Sequence, residues 1–331
     1  MIVTQTPLRI SLAGGGTDLE AFYRYEDGMV LNMAIDKYVY VIVKERFDDK
    51  IYINYSRKEI VDSVDEIQHE LIREAMRKTG VDRGVEITTL ADIPSEGSGL
   101  GSSSSITVGL LNALYMYQGE QVSPERLARE ACEIEIDICG KPIGKQDQYI
   151  AAYGGVRKFT FRGDGTVDVE KISLPDDKFR KLGSNLLLFY THRTRKAETI
   201  LKQQRENTPE RLDVLRRMKA LVFHAKEAIV NHGFDELGHI LRQGWELKKQ
   251  LAEGISDPGL DALYDRALKA GATGGKISGA GGGGFLLLYV PRHKHDGVRR
   301  AMEELSLREL PFMLEQDGSK VIFNIRRYPA R

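Results

Sequence analysis

The chain has 331 residues, enough at ~100–200 residues per domain for two domains or one large α/β unit with a sizeable core. Hydrophobic residues make up 41% and charged residues 29%, a balance that excludes disorder and a continuous coiled coil. Forty-eight basic residues offset forty-eight acidic ones, so the basic excess of a phosphate-neutralising nucleic-acid binder is missing.

Strand character comes first. IVTQTPLRISLA, GMVLNMAIDKYVYVIV, KIYINY and GVEITTL are β-branched and aromatic-rich, and they predict a mixed sheet. Helical patterns follow at about 65–79, 101–117 and 123–138, the last opened by Ser123-Pro124-Glu125, a cap with proline at the first helical position. Cys132 and Cys139 fall on one face of that third helix, about two turns apart, too far for a disulfide and suited to packing. Beyond about Gly183 the pattern changes: strand SNLLLFYT, long charged helices over 195–253, a helix from about Pro258 to Ala270, and two short strands around a glycine cluster. Helix HKHDGVRRAMEEL and strand SKVIFNIRR close the chain. The expected division is 1–182 and 183–331, with a second α+β domain. The longest apolar runs, such as Phe285 to Val290, are far short of the ~20 residues that cross a bilayer, and no signal-peptide pattern opens the chain, so the expectation is a soluble cytoplasmic protein without a membrane partner.

Of the thirty-three glycines, eleven fall in three clusters, at Gly14 to Gly16, at Gly97, Gly99 and Gly101, and at Gly279 with Gly281 to Gly284. In PSEGSGLGSSSSITVGLLNALY a strand delivers the chain to alternating glycines, four serines and an apolar helix. Free amides, hydroxyls and the positive end of a helix dipole would together cradle a phosphate; a plain helix-capping loop is the alternative. No lysine of the G-x-x-x-x-G-K-[ST] type is present, and the glycine spacing does not suit a dinucleotide. REACEIEIDICGKPIGKQDQYIAAYGG places Glu133, Glu135 and Asp137 on a helix and Asp147 after a Gly/Pro loop. One carboxylate for a divalent cation and another for an acceptor proton suit phosphoryl transfer; a solvated helix face and an N-cap are the plainer readings. KISGAGGGGFLLLYV leaves no room for bulk, which implies close approach to a ligand or another loop, or else a tight hairpin. In TPLRISLAGGGTDLEAFYRY, Arg9 lies on the first strand and Asp18 after a glycine run, where it could cap a helix or grip hydroxyls.

Taken in order from Thr6 to about Val290, these segments resemble the three motifs of the GHMP kinases. The resemblance implies an α+β fold, an N-terminal domain like ribosomal protein S5 domain 2 joined to a C-terminal ferredoxin-like domain, with the active site between them. Gly97, Ser98, Gly99, Leu100, Gly101, Ser102, Ser103 and Ser104 would bind the ATP phosphates. Ser103 and Glu135 would hold Mg2+, Asp147 would be the catalytic aspartate, and Arg9 would pair with it. Gly15, Gly16, Thr17 and Asp18 match the sugar-binding segment, but glycines replace the glutamate and histidine that precede Thr-Asp in galactokinases. Gly281 and Gly282 would also touch substrate.

Within the family, PLRISLAGGGTDL and GKPIGKQDQYIAAYGG look most like the D-glycero-D-manno-heptose 7-phosphate kinases, which phosphorylate the anomeric oxygen; fucokinases share the GGGTD form. A phosphorylated sugar needs cations. Lys141 and Lys145 bracket the loop before Asp147, and Arg193, Arg195 and Lys196 follow a strand. Arg195 is the first candidate, with Lys145 and Arg193 behind it, ordinary surface being the alternative. The implied reaction is transfer from ATP to the C1 hydroxyl of heptose 7-phosphate, giving the 1,7-bisphosphate, with ATP and the sugar phosphate as partners and a homodimer possible. A fucokinase- or galactokinase-like enzyme, or a non-catalytic sugar sensor on the same fold, is the rival.

Overall fold

The protein is described by a computed structural model covering residues 1–94, 97–193 and 197–325. Its first half is a forked sheet backed by helices. The elements are β1 (Ile2–Ala13), α1 (Glu20–Tyr23), β2 (Gly28–Glu45), β3 (Ile51–Asn54), β4 (Lys58–Val61), α2 (Glu70–Thr79), β5 (Val85–Ala91), α3 (Ser102–Gln118), α4 (Pro124–Cys132), α5 (Gln146–Tyr153), β6 (Val156–Phe161) and β7 (Val167–Lys171). β2 is long enough to serve three partners: β1 along one edge, β5 beside Val39–Glu45 and β6 beside Gly28–Met33 on the other. β3 joins β5 in parallel, the one parallel pair among the described strands.

α3 is apolar on nearly every face, as befits a central helix, and meets the sheet where Ser105 Oγ donates to Pro7 O at 2.8 Å and Gly109 O accepts from Thr4 Oγ1 at 3.0 Å. Gly109 sets its distance, since a Cβ there would lie 2.8 Å from Thr6 Oγ1. The helix expected over 65–79 starts later. Val64–Glu66 forms a single tight turn, and α2 begins after His69, whose ring accepts from the Ile72 amide. The helix expected over 123–138 begins as read, with Ser123 capping the Arg126 amide, but becomes a wide π turn over Glu133–Ile138. That change of pitch takes the two cysteines off a common face: Cys132 is buried, whereas Cys139 is partly exposed.

The second half adds α6 (Asp176–Ser184), β8 (Leu186–Tyr190), α7 (Ala197–Asn207), α8 (Leu212–Val230), α9 (Glu236–Lys248), α10 (Pro258–Ala270), β9 (Gly274–Ile277), β10 (Phe285–Tyr289), α11 (His295–Glu303), β11 (Arg308–Glu309) and β12 (Lys320–Asn324). The second sheet runs β11-β8-β10-β9. β12, expected with the second half, belongs instead to the first sheet. It pairs antiparallel with β1 from Ile2↔Asn324 to Gln5↔Lys320, covering an edge that would otherwise be open. No helix of the described residues is long and apolar enough to cross a membrane. α8 leans on the end of the first sheet, where a Cβ on Gly14 would lie 2.7 Å from Val222 Cγ2, and the angle between the two halves is a cleft.

Candidate active site

The cleft encloses about 750 Å³ and draws its walls from β1, the loop before α3, α5, α7, α9 and the glycine loop after β9. At its centre the Arg9 guanidinium grips Asp147 with two parallel bonds, Nε to Oδ1 and Nη2 to Oδ2, both 2.7 Å. The arginine side chain is 6% exposed and the aspartate 23%, so the carboxylate is the member that faces the cleft. Arg9 also donates through Nη1 to Gly99 O at 2.6 Å, and its backbone amide donates to Leu100 O at 3.0 Å. One residue thus fixes both the aspartate and the Gly/Ser loop.

That loop has the form its composition predicts. Gly97, Gly99 and Gly101 all have positive φ, and α3 starts at Ser102, leaving first-turn amides unpaired at the cleft. Gly97, Ser98, Gly99, Gly101, Ser102, Ser103 and Ser104 line the cavity; Leu100 is fully buried and supports the loop from behind. The third glycine cluster lies against it. A Cβ on Gly99 would sit 2.6 Å from Ser278 O, and one on Gly284 would sit 2.6 Å from Gly97 O, so close loop-to-loop approach is what these glycines permit. Gly279 and Ala280 reach the cleft. Gly281 and Gly282 do not: Gly281 abuts Ile255, and the Gly282 amide donates to Ile255 O at 2.8 Å.

Glu135 lies on the π turn, whose wider pitch is seen in the Cys139 amide bonding Ile134 O. The carboxylate is fully buried and accepts from Ser103 Oγ and Ser104 Oγ at 2.7 Å each and from Gln148 Nε2 at 2.5 Å. No cation pairs with it among the described residues; Lys141, 3.4 Å from Ser103 Oγ, is paired with Glu70. A buried carboxylate next to a hydroxyl, short of positive charge, fits a hard divalent cation that takes its remaining ligands from phosphate and water.

Asp18 also lines the cleft, accepting from the Gly16 amide and from Gln146 Nε2 at 2.9 Å each. Burial, with the Asp147 charge behind it, pushes its carboxyl up against the pull of those two bonds. Gly144 lets the loop pass over it, since a Cβ there would lie 2.0 Å from Asp18 Oδ2. Gly15 and Gly16 line the cleft beside it. Thr17 turns away: its hydroxyl bonds Gly14 O and Met29 O at 2.8 Å and ties the turn to β2.

Two of the basic residues expected to meet a substrate phosphate, Lys145 and Arg193, are engaged elsewhere, while Lys141 lines the cleft. Lys145 donates to Gly165 O at 2.7 Å and stands over the Tyr23 ring, in a separate pocket. Arg193 pairs at 2.7 Å with Asp257, the N-cap of α10. Arg195 and Lys196 lie outside the described residues.

Two cleft cations went unnoticed in the sequence. Lys248, at the end of α9, donates to Gly279 O, and Lys276, on β9, donates to Ser11 O at 2.8 Å. Burial, followed by Arg9, pushes Lys276 down to about 8; burial, followed by Lys276 and Arg9, holds Lys248 well below the usual lysine range. Ser11 Oγ, Gln146 Oε1 and Gln204 Nε2 also border the cleft and are buried without a hydrogen-bond partner among the described residues. Such atoms suit a polyhydroxylated ligand.

The lowered value for Lys276 has a stability consequence. Between its ordinary value of 10.5 and about 8 the unfolded chain holds a proton that the folded chain does not, so folding gains stability as pH rises through that window, by up to ~3 kcal/mol. Below pH 8 the lysine is charged in both states and the penalty is constant. Lys276→Met, which cannot be charged, should therefore gain most over wild type at neutral pH and lose that advantage as pH rises to 10.5. Denaturant melts of both proteins across the window check this; a constant difference would contradict it.

A glycine and serine loop opening a helix at the cleft, an arginine-held aspartate and a buried carboxylate among hydroxyls, set between a forked sheet and a smaller α+β half, are the parts of a small-molecule phosphotransferase. Comparison with known proteins gives the family. Residues 64–155 match the GHMP kinases N terminal domain and residues 225–306 the GHMP kinases C terminal domain. The chain is 32% identical to the D-glycero-alpha-D-manno-heptose 7-phosphate kinase of Campylobacter jejuni, over 92% of this chain and 94% of that one. It is 29% identical to the L-fucokinase/L-fucose-1-P guanylyltransferase of Bacteroides fragilis, over 86% of this chain but 34% of that longer protein. Among solved structures, a D-glycero-D-manno-heptose 1-phosphate kinase from Bacteroides thetaiotaomicron superposes with a TM-score of 0.83 at 27% identity, covering 98% of this chain and 99% of the other. The chain belongs to the GHMP kinases and uses ATP as phosphate donor.

Proposed function

We propose that this ATP-dependent sugar kinase of the GHMP family transfers the γ-phosphoryl group to the C1 hydroxyl of D-glycero-D-manno-heptose 7-phosphate, giving the 1,7-bisphosphate. The observation that carries the chemistry is the Asp147 carboxylate, held by both oxygens on the Arg9 fork and open to the cleft beside the Gly/Ser loop. The choice of sugar is supported by the heptose 7-phosphate kinase that matches along nearly its whole length.

Phosphoryl transfer asks for positioning and charge neutralisation more than for covalent chemistry. The amides at the start of α3 and the positive end of its dipole face the donor phosphates. Ser103 and Glu135 would hold Mg2+, which when bound supplies neutralisation of the phosphate charge. Asp147 receives or orients the C1 hydroxyl proton, and Arg9 keeps the carboxylate turned toward that hydroxyl. Asp18, Ser11 and Gln146 offer hydrogen bonds to the remaining hydroxyls. An anomeric hydroxyl is more acidic than an ordinary alcohol, so a carboxylate is a sufficient base.

The test is a coupled ADP-release assay on heptose 7-phosphate, the unphosphorylated heptose, fucose and galactose. The phosphorylated heptose should give the highest kcat/KM, by at least one to two orders of magnitude over its free parent, because charge-assisted bonds are at stake. A preference for fucose or galactose would replace the substrate and leave a GHMP sugar kinase.

A further inference from the structure

We infer that Lys248 and Lys276 form the seat for the acceptor's own phosphate, a dianionic monoester at the far end of the sugar from the reacting hydroxyl; the inference rests on the sugar-phosphate reading above. Both ammonium groups are in the cleft, brought together from α9 and β9, and the two residues are only 7% and 8% exposed. Each spends one hydrogen bond, on a backbone carbonyl, and neither pairs with a carboxylate among the described residues. An ammonium has three donors, so each keeps two for a ligand.

Two buried cations beside a third, Arg9, repel one another. The nearby carboxylates do not resolve that, because Asp147 is already committed to Arg9 and Asp18 is bonded to Gly16 and Gln146. A bound dianion would. Its arrival would also favour the charged form of both lysines, which burial now disfavours.

The two lysines enter the cleft from different sides, Lys276 from beside β1 and Lys248 from the glycine loop that abuts Gly99. Lys276 touches Ser11, two residues beyond Arg9 on the way to the Gly14–Gly16 turn and Asp18, and the charges felt by the pair include those of Arg9, Asp18 and Asp147. At the end marked by Ser103 and Glu135 the nearby cation is Lys141, already paired with Glu70.

The experiment takes Lys248→Met and Lys276→Met, which keep an apolar stem and remove the charge, and measures each on heptose 7-phosphate and on the unphosphorylated heptose. Each should lose ~10–100-fold in kcat/KM on the phosphorylated sugar beyond whatever it loses on the free sugar, with the KM for ATP near that of wild type. Lys248→Arg and Lys276→Arg, which restore charge, should recover much of the lost discrimination, and they decide the matter if a Met variant does not fold. Equal losses on both sugars, or a defect concentrated in the KM for ATP, overturn the lysine assignment while the wild-type preference for the phosphorylated sugar stands. A wild type that turns over the free sugar equally well overturns the substrate reading and the seat with it.

Discussion

Asp147→Asn is expected to lower kcat by ~10²–10⁴-fold, the range for loss of a general base, with ATP affinity little changed. The amide keeps the size of the carboxylate and one of its acceptors, so the bond from one Arg9 nitrogen can persist. The second bond cannot, because the amide NH2 would face a guanidinium N–H where Oδ1 or Oδ2 now accepts at 2.7 Å. What anchors the loop is separate: Arg9 Nη1 on Gly99 O and the Arg9 amide on Leu100 O involve no atom of Asp147. Nucleotide binding and turnover should therefore come apart in this variant. Equilibrium binding of a non-hydrolysable ATP analogue, set beside steady-state kcat, measures both. A weakened nucleotide with turnover intact would place Asp147 in the donor site and remove it as the proton acceptor.

What was legible in the sequence is what carries a local signal. Gly97, Gly99 and Gly101 before four serines can scarcely form anything but a tight loop entering a helix, and α3 starts at Ser102. Asp257-Pro258 and Gly271 announce both ends of α10, which spans Pro258–Ala270 as read. Arg9, Glu135 and Asp147 each sit in a short motif, and folding brings Arg9 to Asp147 and Glu135 to Ser103.

Long-range choices were not legible. Whether a lysine is surface or cleft depends on which element closes over it. Lys248 ends a charged helix and looks like many exposed lysines, yet the glycine loop after β9 buries it. Lys276 left a faint trace: it is the lone charge in the strand GGKI, all four of whose residues are buried, just before the glycine loop. Lys145 failed for a local reason. It is the residue before α5, and its side chain leaves on the side of Gly165 and Tyr23 while Asp147 enters the cleft. Arg193 is claimed by the capping aspartate of α10, a partner 64 residues away that no pattern could supply. β12 was readable as a strand but its partner was not, since pairing with β1 spans almost the full chain.

Glu135→Gln should raise the magnesium concentration needed for half-maximal activity by at least ~10–100-fold, the loss that even outer-shell changes bring to metal sites, while leaving the sugar KM close to wild type. The reason is charge. The substituted amide would still offer one oxygen to Ser103 Oγ, but the carboxylate is the only anion at this end of the cleft that the protein leaves unpaired with a cation among the described residues. Excess magnesium should restore part of the rate, because the acceptor side, Asp147 and Asp18, is untouched. Glu135→Ala separates this effect from packing. It strips the acceptors from Ser103 Oγ, Ser104 Oγ and Gln148 Nε2 at once, in a fully buried position, and each donor left without a partner costs ~1–3 kcal/mol unless a hydroxyl turns to another acceptor. The alanine variant should therefore melt several degrees below the glutamine one and show the same magnesium dependence where both are folded. If neither variant changes its magnesium requirement and only the sugar KM rises, Glu135 is a support for the start of α3 and not a metal ligand.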